Sequence, residues 1–277
     1  MKYTARRSET NVNVSPSHPL KEFVLLAGVL LAIVVGLYLA LGLAVDLMVP
    51  RLSMGLENKL AGTLMGRFTE MEPTTGATQT LQGLVDRLRE NCAPLPYAIT
   101  VHVVQSDAVN AAALPGGHLV VFTGLLANMT SENELAFVLA HEMGHFAHRD
   151  HLRGLGRALV LMTASTLLLG ADNSITGMIG QGLTLTELSF SRTQETRADE
   201  YALNTLFCHY GHVADATAFF GSIAEDGDPG RFGHYFSSHP ENRRRIDHLN
   251  HLARKHGYPT GTPLPLPTGL TSHDHSQ

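Results

Sequence analysis

Within His141-Glu142-Met143-Gly144-His145 the two histidines are four residues apart. On a helix that spacing turns through about 400°, so both imidazoles share one face, one turn apart. Two imidazoles so placed suit a divalent ion, zinc above all. Glu142 projects about 100° around the helix, near enough to take a proton from an attacking water without being a ligand. The chain holds 16 His, yet composition alone gives far fewer than one accidental match to this pattern. A catalytic zinc needs three protein ligands and one position open to water. Two residues compete for the third place. His151 follows His141 at the metzincin spacing, but the Gly that turns the chain in that pattern is replaced here by His148. Glu195 lies in the stretch Ser191 to Asp199, and Asp199 stands one helical turn beyond it. A carboxylate at that offset can accept the second N–H of a ligand imidazole. Glu195 is favoured because it brings ligand and partner together; alone, Glu195 and Asp199 also read as a solvated face pairing with Arg192 or Arg197.

These residues need elements to hold them. Ser131 followed by Glu134 is a capping box that opens a helix, with Leu135, Leu139, Met143 and Phe146 as its apolar stripe through about His148. A second helix begins near Ser191 or Arg192 and carries Glu195, Asp199, Leu203 and Leu206. Ile99, Val101 and Val103 alternate with Thr100 and His102 as in a half-buried strand, and Leu119 to Phe122 form a second β-rich run after the Pro115-Gly116-Gly117 turn. Before them, residues 46 to about 95 read as a helical stalk in which Leu81, Leu84, Val85 and Leu88 repeat at helical spacing, ended by Pro94 and Pro96. Past Gly257 the Pro, Thr, Gly and His content predicts a disordered tail, 257–277, with His273 and His275 in it. Glu225 to Gly230 has turn chemistry and reads as a loop that could cover the cleft. His148 and His151 are expected at the surface or beside the ligands.

Composition bounds the rest. The chain has 277 residues, with 20 Lys plus Arg against 25 Asp plus Glu, which argues against a nucleic-acid partner. A 44% apolar and 16% charged content excludes a solvated disordered chain and fits one sizeable domain with accessory segments. From Phe23 to Val45 there is no charge, and a helix of that length, rising about 1.5 Å per residue, crosses a hydrocarbon core of about 30 Å. A cleavable signal peptide is the weaker reading, because the run is long and a polar stretch precedes it. Lys2, Arg6, Arg7 and Lys21 precede the span, against Arg51 and Lys59 after it, so the N-terminus is expected to stay cytoplasmic. A second apolar stretch, Ala158 to Ala171, is too short to span and reads as a buried or interfacial helix. Cys92 and Cys208 could form one bridge; two separate buried thiols are the preferred expectation.

The sequence resembles the M48 zinc metallopeptidases, the group with the Oma1-like and HtpX or Ste24-like membrane proteases. The resemblance rests on Asn110 to Gly117 and the strand after it, Thr123-Gly124-Leu125-Leu126, the His-Glu-x-x-His helix, Ser191 to Asp199, and Ser238-His239-Pro240 followed by Arg244 and Ile246. It implies an α+β, zincin-like metallopeptidase domain, mainly helical with a small sheet, at 96–256. One transmembrane helix at 23–45, a cytoplasmic tail at 1–22 and the stalk at 46–95 would precede it. It implies His141, His145 and Glu195 on one Zn2+, Glu142 as general base, and Asp199 orienting a ligand. Asn110, Ala111 and Ala112 would be the edge strand along which a peptide substrate lies. His239 would either hydrogen-bond the tetrahedral intermediate or fill the open coordination position in a resting state; a loop histidine with no metal role is the alternative. Ala112 departs from the aromatic residue of many relatives, and the four-span or many-span layouts are absent. The implied function is a membrane-anchored metalloendopeptidase acting on unfolded or misassembled envelope proteins, its domain across the membrane and its partners peptide substrates and lipid. The alternative is an anchored chaperone or assembly factor that holds zinc and rarely cleaves.

Overall fold

The structure, a computed structural model, describes residues 18–65, 76–170, 190–226, 235, 238–239 and 242–270. It divides into two compact units, residues 1–44 and 45–277. In the first, helix α1 (Pro19–Met48, ending in the second unit) has no buried residue and is, among the described residues, the one helix long and apolar enough to cross a membrane.

In the second unit come α2 (Met54–Met65), α3 (Gly76–Asn91), β1 (Thr100–Val104), β2 (Ala111–Leu114), β3 (His118–Phe122), α4 (Thr123–Leu126), α5 (Glu132–His148) and α6 (Asp150–Leu169). Then follow α7 (Arg192–Tyr210), α8 (Ala218–Asp226) and α9 (Asn242–His256). The sheet order is β1-β3-β2, with β1 parallel and β2 antiparallel to β3. β2 is therefore an edge strand. The side-chain amide of Gln82 on α3 accepts from Val101 N and donates to Ile99 O, which ties β1 to α3. The alternation expected of β1 is absent: Val101 to Val104 are all buried, because helices pack one face while Ala112, Leu114 and Val120 join Val104 on the other.

α5 begins and ends as expected, with Ser131 Oγ accepting from Glu134 N. The reciprocal half of the box is missing, since Glu134 Oε2 takes Thr130 N and Oγ1 instead. Three other expectations need correction. Leu81, Leu84, Val85 and Leu88 of α3 are fully buried in the main core, so this part of the supposed stalk is domain. Cys92 and Cys208 are joined in a disulfide across a separation of 116 residues, not held as separate thiols; sequence could not show that α3 ends beside α7. A loop that long costs about 4–5 kcal/mol of chain entropy to close, which the bond removes from the unfolded state. Residues 257–270 are not a free tail. Pro259 O accepts from Val213 N, Leu264 O from Glu132 N, and Leu264 N donates to Asn133, while Leu270 is buried. Glu132 N is an orphan donor of the first turn of α5, and the arm supplies its acceptor. The expected tail histidines, Pro240 and residues 227–230 of the cleft loop lie outside the described residues.

Candidate metal centre

α5 and α7 cross where Gly144 meets Ala198. A Cβ on Gly144 would lie 2.8 Å from Ala198 Cα, closer than real side chains stand. The glycine inside the His-Glu-x-x-His segment thus lets α7 approach near enough for its carboxylates to reach the two imidazoles. Ser191 caps α7 with a full capping box, in which Gln194 Oε1 accepts from Ser191 N.

Three donor groups converge there. His141 Nε2 and His145 Nε2 are 3.1 Å apart, Glu195 Oε2 lies 3.6 Å from the first and Oε1 3.5 Å from the second. Ligands on one tetrahedral ion at about 2.05 Å stand about 3.3 Å apart, so the triangle has the size a zinc ion requires. The donor chemistry agrees. His141 Nδ1 donates to Asp199 Oδ1 at 2.9 Å, and His145 Nδ1 donates to Asp150 Oδ2 at 3.3 Å. With both Nδ1 atoms so engaged, the two Nε2 atoms turn lone pairs toward each other and toward a carboxylate, an arrangement that a cation or an added proton relieves. Without the ion the protons respond. Burial lowers the pKa of His145, but hydrogen bonds to Asp150 and Glu195 and the field of Glu142 outweigh it and raise it to about 9. Burial also lowers His141 and prevails there over Asp199 and Glu195. Burial would raise Glu195, yet the fields of His239 and Arg245 hold it well below the usual carboxylate range.

Glu142 is fully buried beside the triangle, and its Oε2 accepts from Ala113 N of β2 at 3.1 Å. Its Oε1 faces His239 Nε2 at 3.6 Å; both atoms are buried, and neither has a hydrogen-bond partner among the described residues. His239 Nδ1 lies 3.3 Å from His141 Nε2 and 3.0 Å from Glu195 Oε1, so His141, Glu142, His145 and His239 form one buried group able to hold an ion. Phe190 stacks on His145 and Tyr235 on His239, which fixes both rings. Of the expected edge strand, Ala111 and Ala112 are in β2, and Asn110 just precedes it with its carbonyl bonded to Phe122 N. His151 does not join the centre: it is buried elsewhere, with Nε2 on Glu57 at 3.2 Å.

The profile of peptidase family M48 matches residues 77–253. The chain belongs to this family of metallopeptidases. Among M48 relatives, mitochondrial metalloendopeptidase OMA1 of Bos taurus is 30% identical over 167 residues, 55% of this chain and 32% of that protein. Metalloprotease YcaL of Escherichia coli is 29% identical over 171 residues, covering 57% and 62%. A protease HtpX homolog of Desulfatibacillum aliphaticivorans is 30% identical over 227 residues, covering 67% and 72%. The match thus spans about a third of OMA1 and less than two thirds of YcaL.

Sequence reasoning missed Asp150 and Arg245. Asp150 follows Arg149, whose left-handed φ of 55° ends α5 and turns the chain back toward His145, and no helical offset points to it. Gln194, Arg197 and Arg153 all donate to its Oδ1. Arg245 grips Asp199 with Nε at 2.8 Å and Nη2 at 2.7 Å, and its Nη1 lies 2.6 Å from Glu195 Oε2. A signal existed: Arg245 is one turn before Leu249 on the inward face of α9, whereas Arg244, noted in the motif, is exposed.

Proposed function

We propose that this M48 chain is a membrane-anchored zinc metalloendopeptidase with His141, His145 and Glu195 as ligands and Glu142 as general base. The observation that carries the reading is the buried triangle of two imidazole nitrogens and a carboxylate, 3.1 to 3.6 Å on a side, with Glu142 beside it. Zinc in that triangle supplies an acidified water and a polarised scissile carbonyl. The protein does the rest. An extended substrate pairs its main chain with the β2 edge at Ala111 and Ala112, which needs little sequence specificity. Ala113 N fixes one oxygen of Glu142, so the other takes the proton from the attacking water and passes it to the leaving amine. His239 Nε2 donates to the oxygen on which charge develops. Asp199 and Asp150 hold the two ligand imidazoles in the tautomer that presents Nε2.

The domain limits follow as a proposal: tail 1–22, span 23–45, peptidase unit beyond it. The disulfide fits an oxidising compartment across the membrane from a cytoplasmic N-terminus, where unfolded or misassembled envelope proteins would be the substrates. A second reading, an assembly factor with a closed zinc site, draws on His239 as a fourth nitrogen 3.3 Å from His141 Nε2. Full-length protein in detergent, incubated with unfolded casein beside Glu142→Gln, separates the two. We expect Glu142→Gln to retain zinc and lose about 10²- to 10⁴-fold in kcat/KM. Equal cleavage by both proteins removes Glu142 as base, and no cleavage by a zinc-loaded wild type favours the closed site.

A further inference from the structure

α6 changes character at its middle. Its first half is part of the domain: Asp150, His151, Leu152, Leu155 and Ala158 are buried. Its second half, Leu159 through Leu169, carries no charge; Ser165 is buried there, but several apolar side chains face outward together with Thr163. Leu159 is 46% exposed, Leu161 42%, Met162 37% and Leu167 80%. These four lie at widely different angles around the helix, so no single strip of protein could cover them. An uncharged helix segment with large apolar side chains exposed on several sides suits an apolar surrounding, and exposed patches of this kind mark an interaction surface.

The lower half says what that surrounding is. Asp46 is the first charge after the uncharged run that ends at Val45. Arg157 holds both its carboxylate oxygens, at 2.9 and 3.0 Å, and Arg153 Nε lies 3.5 Å from it. Gly156 lacks the Cβ that would stand 2.7 Å from Val45 Cγ1, so this turn of α6 lies directly against residues 45 and 46. Arg153 and Arg157 of α6 are thereby tied to Asp46, the first charged residue after the uncharged run. The remaining helix is about 17 Å long at 1.5 Å per residue, enough to enter one leaflet and too short to cross.

We infer that the outer half of α6, Leu159 to Leu169, inserts into a lipid leaflet as a second membrane contact. This inference rests on the reading of α1 as a membrane span. Since Asp150 at the start of the same helix holds His145, the metal centre then stands close above the bilayer surface, about 10 Å along α6 from Arg157. Substrate segments emerging from that bilayer would be the first to reach the β2 edge.

Full-length protein in phospholipid vesicles tests this. A nitrobenzoxadiazole label is placed singly through Leu31→Cys in α1, Leu161→Cys or Leu167→Cys in α6, or Lys255→Cys at the exposed end of α9, and native zinc content is confirmed for each. We expect nitroxide-bearing lipid to quench the Leu31, Leu161 and Leu167 labels about twofold or more and aqueous iodide to leave them bright, with the reverse at Lys255. If Leu31 is lipid-quenched while both α6 labels behave like Lys255, the α6 insertion is wrong and the anchor stands. α6 labels shielded from both quenchers would mean protein covers this face, a second copy or another segment of the chain, which also overturns it. Failure at Leu31 removes the anchor and the inference together.

Discussion

Two buried histidine–carboxylate clusters lie on either side of the corner between α5 and α6, and their wiring is opposite. In one, His151 Nε2 meets Glu57 Oε1 at 3.2 Å, and Glu57 also accepts from Gly116 N. Donors face an acceptor at Glu57 Oε1 there, while Glu57 Oε2 is buried without a hydrogen-bond partner among the described residues; burial would raise Glu57, but His151 and Gly116 outweigh it and lower its pKa. In the other, both Nδ1 atoms are spent on Asp199 and Asp150, and Nε2 of His141 and His145 face a carboxylate and each other. Arg245 and His239 approach that carboxylate, but the two Nε2 lone pairs face each other, an arrangement that a cation or an added proton relieves. The same residue types make a structural clasp or an ion site according to where the second ring nitrogen goes.

The largest test of this contrast is deletion of one imidazole from each cluster. His145→Ala should bring bound zinc near zero by elemental analysis and peptidase activity below detection, because two donors do not hold a catalytic zinc. His151→Ala should keep about one zinc per chain. If His151→Ala also strips the metal, the clusters are one unit and the contrast fails.

A smaller effect is expected from Glu57→Gln, which leaves His151 without a charged partner in a fully buried position. Breaking such a pair costs about 3–5 kcal/mol, read as a lower denaturant midpoint with zinc content unchanged. The pH dependence has a definite sign. Glu57 has a folded pKa below its unfolded 4.5, so its contribution is present above that pH and fades as the pH falls through the lower folded value. Wild type and Glu57→Gln should therefore converge in stability on acidification below about pH 4.5, and a gap that widens there would contradict the assignment.

How far each cluster could be read from sequence follows from how its residues are spaced. His141, Glu142 and His145 lie within one helical turn, and Glu195 and Asp199 within another, so local periodicity displayed both halves of the centre. Ser131 and the stripe through Phe146 placed α5 for the same reason. His151 and Glu57 are 94 residues apart and the two cysteines 116; such pairs depend on how elements dock, which no local period encodes. Residues 257–270 misled for a related reason. Proline and glycine forbid a helix there, but they leave an extended arm whose Leu264 carbonyl finds Glu132 N and whose Leu270 is buried. Arg245 lay between, legible from the α9 face it shares with Leu249 but without a visible partner until α7 was in place.

The finest test asks whether the two carboxylates behind the imidazoles are equivalent. Asp199 is carried by the same helix as Glu195, accepts from His141 of α5 and is gripped by Arg245 of α9. Asp150 belongs to α6 and is held by Gln194 and Arg197 from α7, so His145 is oriented across three helices. Replacing either Asp by Asn keeps an acceptor but removes the charge that makes the imidazole a stronger donor to the ion, at a cost of about 10- to 100-fold in zinc affinity. Competition with a fluorescent chelator measures this directly. Asp150→Asn should also loosen the Gln194 and Arg197 contacts and so lower the denaturant midpoint, while Asp199→Asn leaves Arg245 facing Glu195 alone and should change affinity more than stability. An unchanged zinc affinity in Asp150→Asn would mean that α6 does not bear on the ion through His145.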